Sequence, residues 1–256
     1  MLSSATNALR ALEYLVDKRE AGVSEIGRAL GVTPGTAHRL VGTLMAEGFA
    51  EQNGANRKYR PGPKVLDLAE RVRGRIDVRE IAHVELVELV DRVRETANLG
   101  ALQDHRIIYL DKVMSDQPFG IEAKIGSRVP AYATALGKAI LANSGDTVVQ
   151  RYVTAMEAGE VGDGTHDPPT AKAFRAELAK VARQGFSEDT GDYMPDVFCV
   201  AAPVFGASAQ PIAAVSVSIP RSRFRASRND LVREVRETAD RLSRELNSLG
   251  ITNPIG

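Results

Sequence analysis

Hydrophobic positions recur at helical spacing from the start of the chain, and they predict three helices followed by a hairpin within about sixty residues. In "ATNALRALEYLVDKRE" the residues Leu9, Leu12, Leu15 and Val16 form one stripe, closed by Ala21-Gly22. "SEIGRALG" predicts a short helix with Ser24 as cap and Gly31 as stop. "TPGTAHRLVGTLMAEG" predicts a third, with Leu40, Leu44 and Met45 turned to a core and Gly48 ending it. "FAEQNGANRKYRPG" then places Phe49 and Tyr59 on either side of a polar, Asn-Gly-containing stretch, which predicts two short strands joined by a basic tip.

Beyond Pro63 the periods change twice. Residues 63–76, "PKVLDLAERVRGRI", predict an amphipathic, charge-rich connecting helix, and Val78 to Ala97 a long one with Ile81, Val84, Leu86, Leu89, Val90 and Val93 apolar. "LGALQDHRIIYLDKVM" then reads as two strands around an Asp-His-Arg turn, and "FGIEAKIG" as another strand. Helices follow over "ATALGKAILANSG" and "TAKAFRAELAKVARQGF", a strand pair over "CVAAPVFGASAQPIAAVSVSIP", and a last helix from Ser227 to Gly250. The expected class is α+β, a mainly antiparallel sheet with helices before, between and after its strands.

A chain of 256 residues is long enough for one large domain or two ordinary ones, and 43% hydrophobic content supports a substantial core. No apolar run approaches the roughly 18 residues of a membrane span. No secretory signal is evident, and the single cysteine, Cys199, fits a reducing compartment, so the cytoplasm is expected. The zero net charge hides an asymmetry: residues 1–75 carry 12 Lys/Arg against 8 Asp/Glu, and the remainder 21 against 25. A polyanion would be met by the N-terminal part.

The third helix has the front such a polyanion requires. Thr33 is a good N-cap, and Pro34 fits the first helical position, where no N–H is needed. Small Gly35 and Ala37 keep the front low. A short helix, a turn at Gly31 and a helix with a polar front form the helix-turn-helix pattern, whose second member lies in the DNA major groove. Thr33, Gly35, Thr36, His38 and Arg39 are so placed; arginine binds guanine bidentately and hydroxyls reach phosphates or bases. Arg57 and Lys58 in the tip "NRKYR" are placed to touch the backbone or minor groove as a wing. A capped amphipathic helix with Arg39 on a solvated face is the plainer alternative, and His38 equally suits packing or simple exposure.

The same residues carry a family likeness. "LRALEYL…GVSEIGRALGVTPGTAHRLVGTLMAEGFAEQ…NRKYRPGPKVLDLA" resembles the DNA-binding half of IclR-type bacterial transcriptional regulators. "IGSRVPAYATALGKAILA", "QGFSED" and "CVAAPVFGASAQPIAAVSVSIPRSRF" resemble that family's effector-binding half, and the likeness covers nearly the whole chain in order. It departs in "SEDTGDYMPDVFCV", where Gly191 and Asp196 stand only approximately at the family's glycine and acidic positions.

The resemblance implies a winged helix-turn-helix domain over residues 1–62 and a linker helix over 63–77. A GAF-like effector-binding domain over 78–250 and a short tail over 251–256 complete it. It also implies a homodimer, or a dimer of dimers, on a partly palindromic double-stranded operator, more commonly as a repressor. The implied effector is a small organic or aromatic acid.

Ser216 and Ser218 are two apart and share one face of a strand whose other face is Val215, Val217 and Ile219. The pattern alone leaves those hydroxyls toward solvent or a polar pocket and favours solvent; the resemblance places them in the effector pocket. It adds Asp189 and Cys199, and the backbone amides of Ala135 and Leu136, which at a helix opening favour a carboxylate. An effector carboxylate about 4 Å from an ionised Asp189 would be repelled by about 4 kcal/mol at an effective dielectric near 20. Either Asp189 is protonated when ligand binds or it faces a hydroxyl, amine or amide at the other end of the molecule. The second is the arrangement expected, with the acid at the helix opening and the serines and a polar tail at Asp189.

Enzyme chemistry finds little footing. Cys199 sits in an apolar strand, the four histidines lie in no nucleophile motif, and phosphate loops and a dinucleotide fingerprint are absent. A Cys199–Asp189–His166 metal site has little support, so neither metal nor cofactor is expected. The competing reading is a small-molecule-binding or hydrolytic GAF-like protein whose N-terminal module serves dimerisation only.

Overall fold

A computed structural model of the chain describes residues 3–73, 78–117 and 124–253. Helices α1 (Ser3–Lys18), α2 (Val23–Leu30) and α3 (Pro34–Ala46) lead to strands β1 (Ala50–Gln52) and β2 (Tyr59–Pro61). Helices α4 (Pro63–Arg73) and α5 (Val78–Val93) precede β3 (Thr96–Gln103), β4 (Arg106–Val113) and β5 (Arg128–Pro130). Then come α6 (Ala135–Asn143), α7 (Asp146–Glu157), α8 (Ala171–Gln184), β6 (Ser187–Asp189), β7 (Val197–Phe205), β8 (Pro211–Pro220) and α9 (Arg221–Ser248). The chain divides into two compact units, Met1–Ile76 and Asp77–Gly256.

In the first unit Ala11, Leu15, Ile26, Ala37, Val41 and Leu44 share a core with Ala50 and Tyr59 of the hairpin. Thr33 caps α3 by accepting from the Thr36 amide, Pro34 occupies the first turn, and Gly31 closes α2 at φ +68°, a conformation that favours glycine. Several expectations change. The cap of α2 is Gly22 rather than Ser24, because the Glu25 carboxylate reaches back to the Gly22 amide at 2.6 Å. Helix α1 stops at Lys18, before Ala21-Gly22, because Arg19 turns left-handed and Ala21 already pairs with Tyr59. Leu9, Val16 and Met45 are exposed rather than in the core, and Ala37 is fully buried, so it packs α3 inward instead of lowering its outer face.

The second unit is built on one antiparallel six-stranded sheet of order β5-β4-β3-β8-β7-β6. Helices α5 and α9 cover one face, α6 covers the other, and α7 and α8 pack outside α6. Every residue from Ile212 to Ile219 is consequently buried, on both phases of the strand.

Most of the strand predicted over "FGIEAKIG", residues 119–123, lies outside the described part; at its end Ile125 and Gly126 form a turn, and β5 is the edge strand next to β4. The long helix ends at Val93 rather than Ala97, since Arg94 adopts φ +57° and Thr96 already pairs with Ser218. Val84, assigned to its apolar stripe, is exposed. Helix α9 starts six residues before Ser227, its Arg221 amide bonded to the Asp196 carbonyl. Helix α7 was unforeseen; it buries Tyr152, Val153, Ala155 and Met156.

Candidate functional site

On the first unit, the outer side of α3 presents Gly35, His38, Arg39, Gly42 and Thr43 as exposed residues. Thr33 is exposed and Thr36 half-buried, and their hydroxyls bond each other at 3.0 Å, so the cap is also a fixed polar corner. Nothing lies within 4 Å of a side-chain carbon built on Gly35 or Gly42, so two bare patches flank His38 and Arg39. The Gly42–Thr43 extension of this face was not foreseen; its signal was Gly42 seven residues, two helical turns, after Gly35.

Polar bonds tie the hairpin to the loop between α1 and α2. Asn53 and Asn56 donate to the two oxygens of Glu20 at 2.8 and 2.9 Å, which with nearby Lys58 and Arg60 lowers that carboxyl's pKa. Arg57 is exposed at the tip with φ +59°, and its carbonyl accepts from the Gln52 amide. The ion pairs described in this unit join Lys58 to Glu25 at 3.8 Å, Arg60 to Glu51 and Lys64 to Glu47, leaving Arg39 and Arg57 outside them. Lys58 is thus partly engaged within the unit, whereas Arg39 and Arg57 project their charge outward.

In the second unit a cavity of about 200 Å³ lies between the sheet and the opening of α6. All six sequence-predicted residues line it: Ala135, Leu136, Asp189, Cys199, Ser216 and Ser218. The walls add residues that the sequence reading missed, among them Tyr109 on β4, Val129 on β5 and Tyr193 and Met194 on the loop after β6.

The sheet register explains the convergence. Asp189 pairs with Cys199, Cys199 with Ser218 and Ala201 with Ser216, so three strands present polar groups to α6 in two adjacent rows. The start of α6 is fixed three times over. Thr134 accepts from the Gly137 amide at 3.2 Å, the Ser187 hydroxyl donates to the Ala135 carbonyl at 2.6 Å, and Tyr152 accepts from the Tyr132 amide just upstream. Gly137 is required for this approach: a side-chain carbon there would stand 2.1 Å from the Ala131 carbonyl oxygen. Ala135 and Leu136 occupy the first two helical positions, whose amides have no acceptor within the helix.

Burial dominates the chemistry of the charged groups here. It raises the Asp189 pKa to about 6 although Oδ1 accepts from the Asp192 and Gly191 amides at 2.7 and 3.0 Å. It pushes Cys199 up to about 12, with the nearby Asp189 charge adding to the effect, so the thiol stays protonated beside Ser218 at 3.3 Å. Tyr109 is raised by the same desolvation and stays a neutral phenol.

The loop carrying Tyr193 is tied down on both sides. Lys138 of α6, almost fully buried, pairs with Asp192 and with Glu177 of α8, and these bonds overcome the desolvation that would otherwise lower its pKa. His166 joins Asp163 at 2.9 Å and the Tyr193 carbonyl at 2.8 Å. Among the described residues no three such side chains gather to hold a metal ion.

This pairing of a polar-fronted helix-turn-helix unit with a ligand-sized cavity has close parallels. The family model for the bacterial transcriptional regulator IclR C-terminal part matches residues 71–244, and that for the IclR helix-turn-helix domain matches 4–54. The chain belongs to the IclR family.

Among its relatives, the HTH-type transcriptional regulator KdgR of Escherichia coli is 30% identical, over 89% of this chain and 86% of that protein. The regulator XynR of the same organism is 31% identical over 87% and 88%. The solved IclR of Thermotoga maritima shares the fold at TM-score 0.61 and 26% identity, covering 96% of this chain and all of that one. An IclR homologue from Microbacterium hydrocarbonoxydans, solved in complex with 4-hydroxybenzoate, matches at TM-score 0.57 and 25% identity over 96% of this chain and 100% of its own.

The IclR family consists of DNA-binding transcriptional regulators, not enzymes, and the chain is such a regulator. A module serving dimerisation alone, the competing reading, is thereby set aside. No described helix is long and apolar enough to cross a membrane.

Proposed function

We propose that the chain is a repressor whose hold on a partly palindromic operator is set by a small organic acid in the cavity of its second unit. On this reading it acts as a homodimer or a dimer of dimers. Arg39, His38 and the Thr33–Thr36 corner read bases, Gly35 admits close approach, and Arg57 and Lys58 touch phosphates. Residues 63–77 carry the coupling between the units.

The observation that carries the effector assignment is the polarity of the cavity. Two serine hydroxyls and, two strands away, a buried carboxyl face it from the sheet, and the opening of α6 faces it from the other side. An anion is favoured by the helix opening and the hydroxyls, while Asp189 suits a hydroxyl, amine or amide at the other end of the molecule. The 4-hydroxybenzoate held by the relative has this two-ended form, a carboxylate opposite a hydroxyl.

The test is binding of the full-length protein to fragments of its upstream intergenic DNA, with and without aliphatic and aromatic acids and their hydroxylated counterparts. The expected outcome is a specific complex that one hydroxy acid releases or strengthens. Substituting Arg39→Ala should weaken the complex by about 1–3 kcal/mol per half-site. Operator affinity indifferent to Arg39 would overturn the base-reading assignment, and indifference to the hydroxyl would overturn the role of Asp189.

A further inference from the structure

Beneath the two serines lies a side chain that the sequence reading passed over. Asn98 of β3 sits directly opposite Ser216 across the antiparallel pair with β8 and is only 2% exposed. It points to the α6 side of the sheet, since the next residue of the same phase, Gly100, has its open face against Leu136. The Asn98 amide nitrogen donates to Ser218 Oγ at 3.2 Å and to Ser216 Oγ at 3.4 Å. Its Oδ1 is the buried side-chain polar atom, among the described residues, that lacks a partner.

Proton counting gives this arrangement a direction. An amide NH₂ carries two protons and here spends one on each serine; a hydroxyl has one proton and two acceptor sites. Each serine oxygen therefore already accepts once, and keeps its own proton and one further acceptor site. At Ser218 the argument extends to Cys199. Its thiol is held protonated by burial, so the S–H is available to donate to Ser218 Oγ and need not draw the serine's proton away. The amide stands with its nitrogen toward the serines, which leaves Oδ1 as the atom without a partner.

We infer that Asn98 is a positioning residue that biases the polarity of the effector site: by donating to Ser216 and Ser218 it occupies an acceptor site on each and leaves both hydroxyl protons free for the cavity. The site then selects a ligand group that accepts, a carboxylate or similar oxyanion, over one of the same shape that donates. The inference rests on the effector-site reading above.

The test measures affinities of the full-length protein for matched acid and amide pairs by calorimetry: benzoate and benzamide, 4-hydroxybenzoate and 4-hydroxybenzamide, lactate and lactamide. The parent protein should prefer the acid of the pair it binds best. Asn98→Ala frees the hydroxyls to rotate and should reduce the acid-to-amide ratio roughly tenfold or more, the scale of one hydrogen bond to a charged group. Asn98→Asp keeps the side-chain shape, accepts both serine protons and should invert the ratio.

Asn98→Ala should not change the ratio further in a protein already carrying Ser216→Ala and Ser218→Ala, because Asn98 acts through those hydroxyls. Any fall that Asn98→Asp still causes there is the effect of its charge. That background also separates polarity from the charge added by Asn98→Asp. An acid-to-amide ratio untouched by Asn98→Ala would overturn the inference while leaving the effector site standing. Binding of no pair, with operator affinity intact, would overturn the effector-site reading and the inference together.

Discussion

Asp189 shows what a residue gives up to be useful in a cavity. Its carboxyl is 3% exposed, and burial lifts its pKa to about 6, against two amide donors that pull the other way. An unfolded aspartate titrates near 3.9. Between about pH 4 and 6 the native protein therefore retains a proton that the unfolded chain releases, and stability falls as pH rises through that window. Above it, the ionised carboxylate costs the fold about 3 kcal/mol. Asp189→Asn preserves an Oδ1 acceptor for the Gly191 and Asp192 amides and removes the charge. It should exceed the parent in stability by up to about 3 kcal/mol at pH 7.5 and by little at pH 4, as read by urea titration at both. Equal stability at pH 7.5 would mean that the carboxylate is better solvated than its burial indicates.

At the scale of elements, the hairpin of the first unit combines an internally bonded tip with one strained residue. Asn53 and Asn56 accept from the Ala55 and Lys58 amides, and the Arg57 amide bonds the Asn53 carbonyl, which commits the tip to a single turn. Arg57 occupies the left-handed region at φ +59°, where an L side chain costs about 1–2 kcal/mol. A charged residue in that position suits a function outside the fold, which on the proposed reading is a phosphate contact. Arg57→Gly should therefore stabilise the unit by about 0.5–1 kcal/mol, the strain relieved less the extra entropy of glycine. It should also weaken DNA binding almost equally across sequences and reduce the dependence of log K on log salt by about one. Urea melts and anisotropy titrations over a series of KCl concentrations measure the two effects. A salt dependence identical to the parent's would remove the tip from the interface.

For the whole molecule, control of DNA by a ligand is a coupling between two equilibria, and such coupling is reciprocal. If an acid weakens operator binding tenfold, saturating operator DNA must weaken acid binding tenfold. The factors are to be compared by titrating the acid into free protein and into the preformed operator complex. Unequal factors would mean that more than one acid binds per DNA-binding event. The arrangement within the second unit is consistent with a responsive site: α6, β6 and the Tyr193 loop meet at the cavity. Lys138, Ser187 and His166 bind these parts to one another by side-chain bonds rather than by a continuous strand.

What the sequence determined by itself was whatever depends on neighbours along the chain. Thr33 and Pro34 start a helix and Gly31 ends one through bonds and backbone angles within a few residues, and the Asp104–His105 turn joins its strands in the same local way. The family likeness extended this to the six residues around the cavity, because their motifs survive as strings. Tertiary structure alone decided which polar residues are buried and what they face. The alternation around Ser216 and Ser218 favours solvent, yet both faces of β8 are covered, one by α9 and one by α6. Asn98 gives no signal in "TANLGALQ"; it matters because strand pairing places it opposite Ser216, 118 residues away. Period and capping are local interactions, whereas burial of a polar group depends on what distant segment is laid over it, and that is written in no single stretch of the chain.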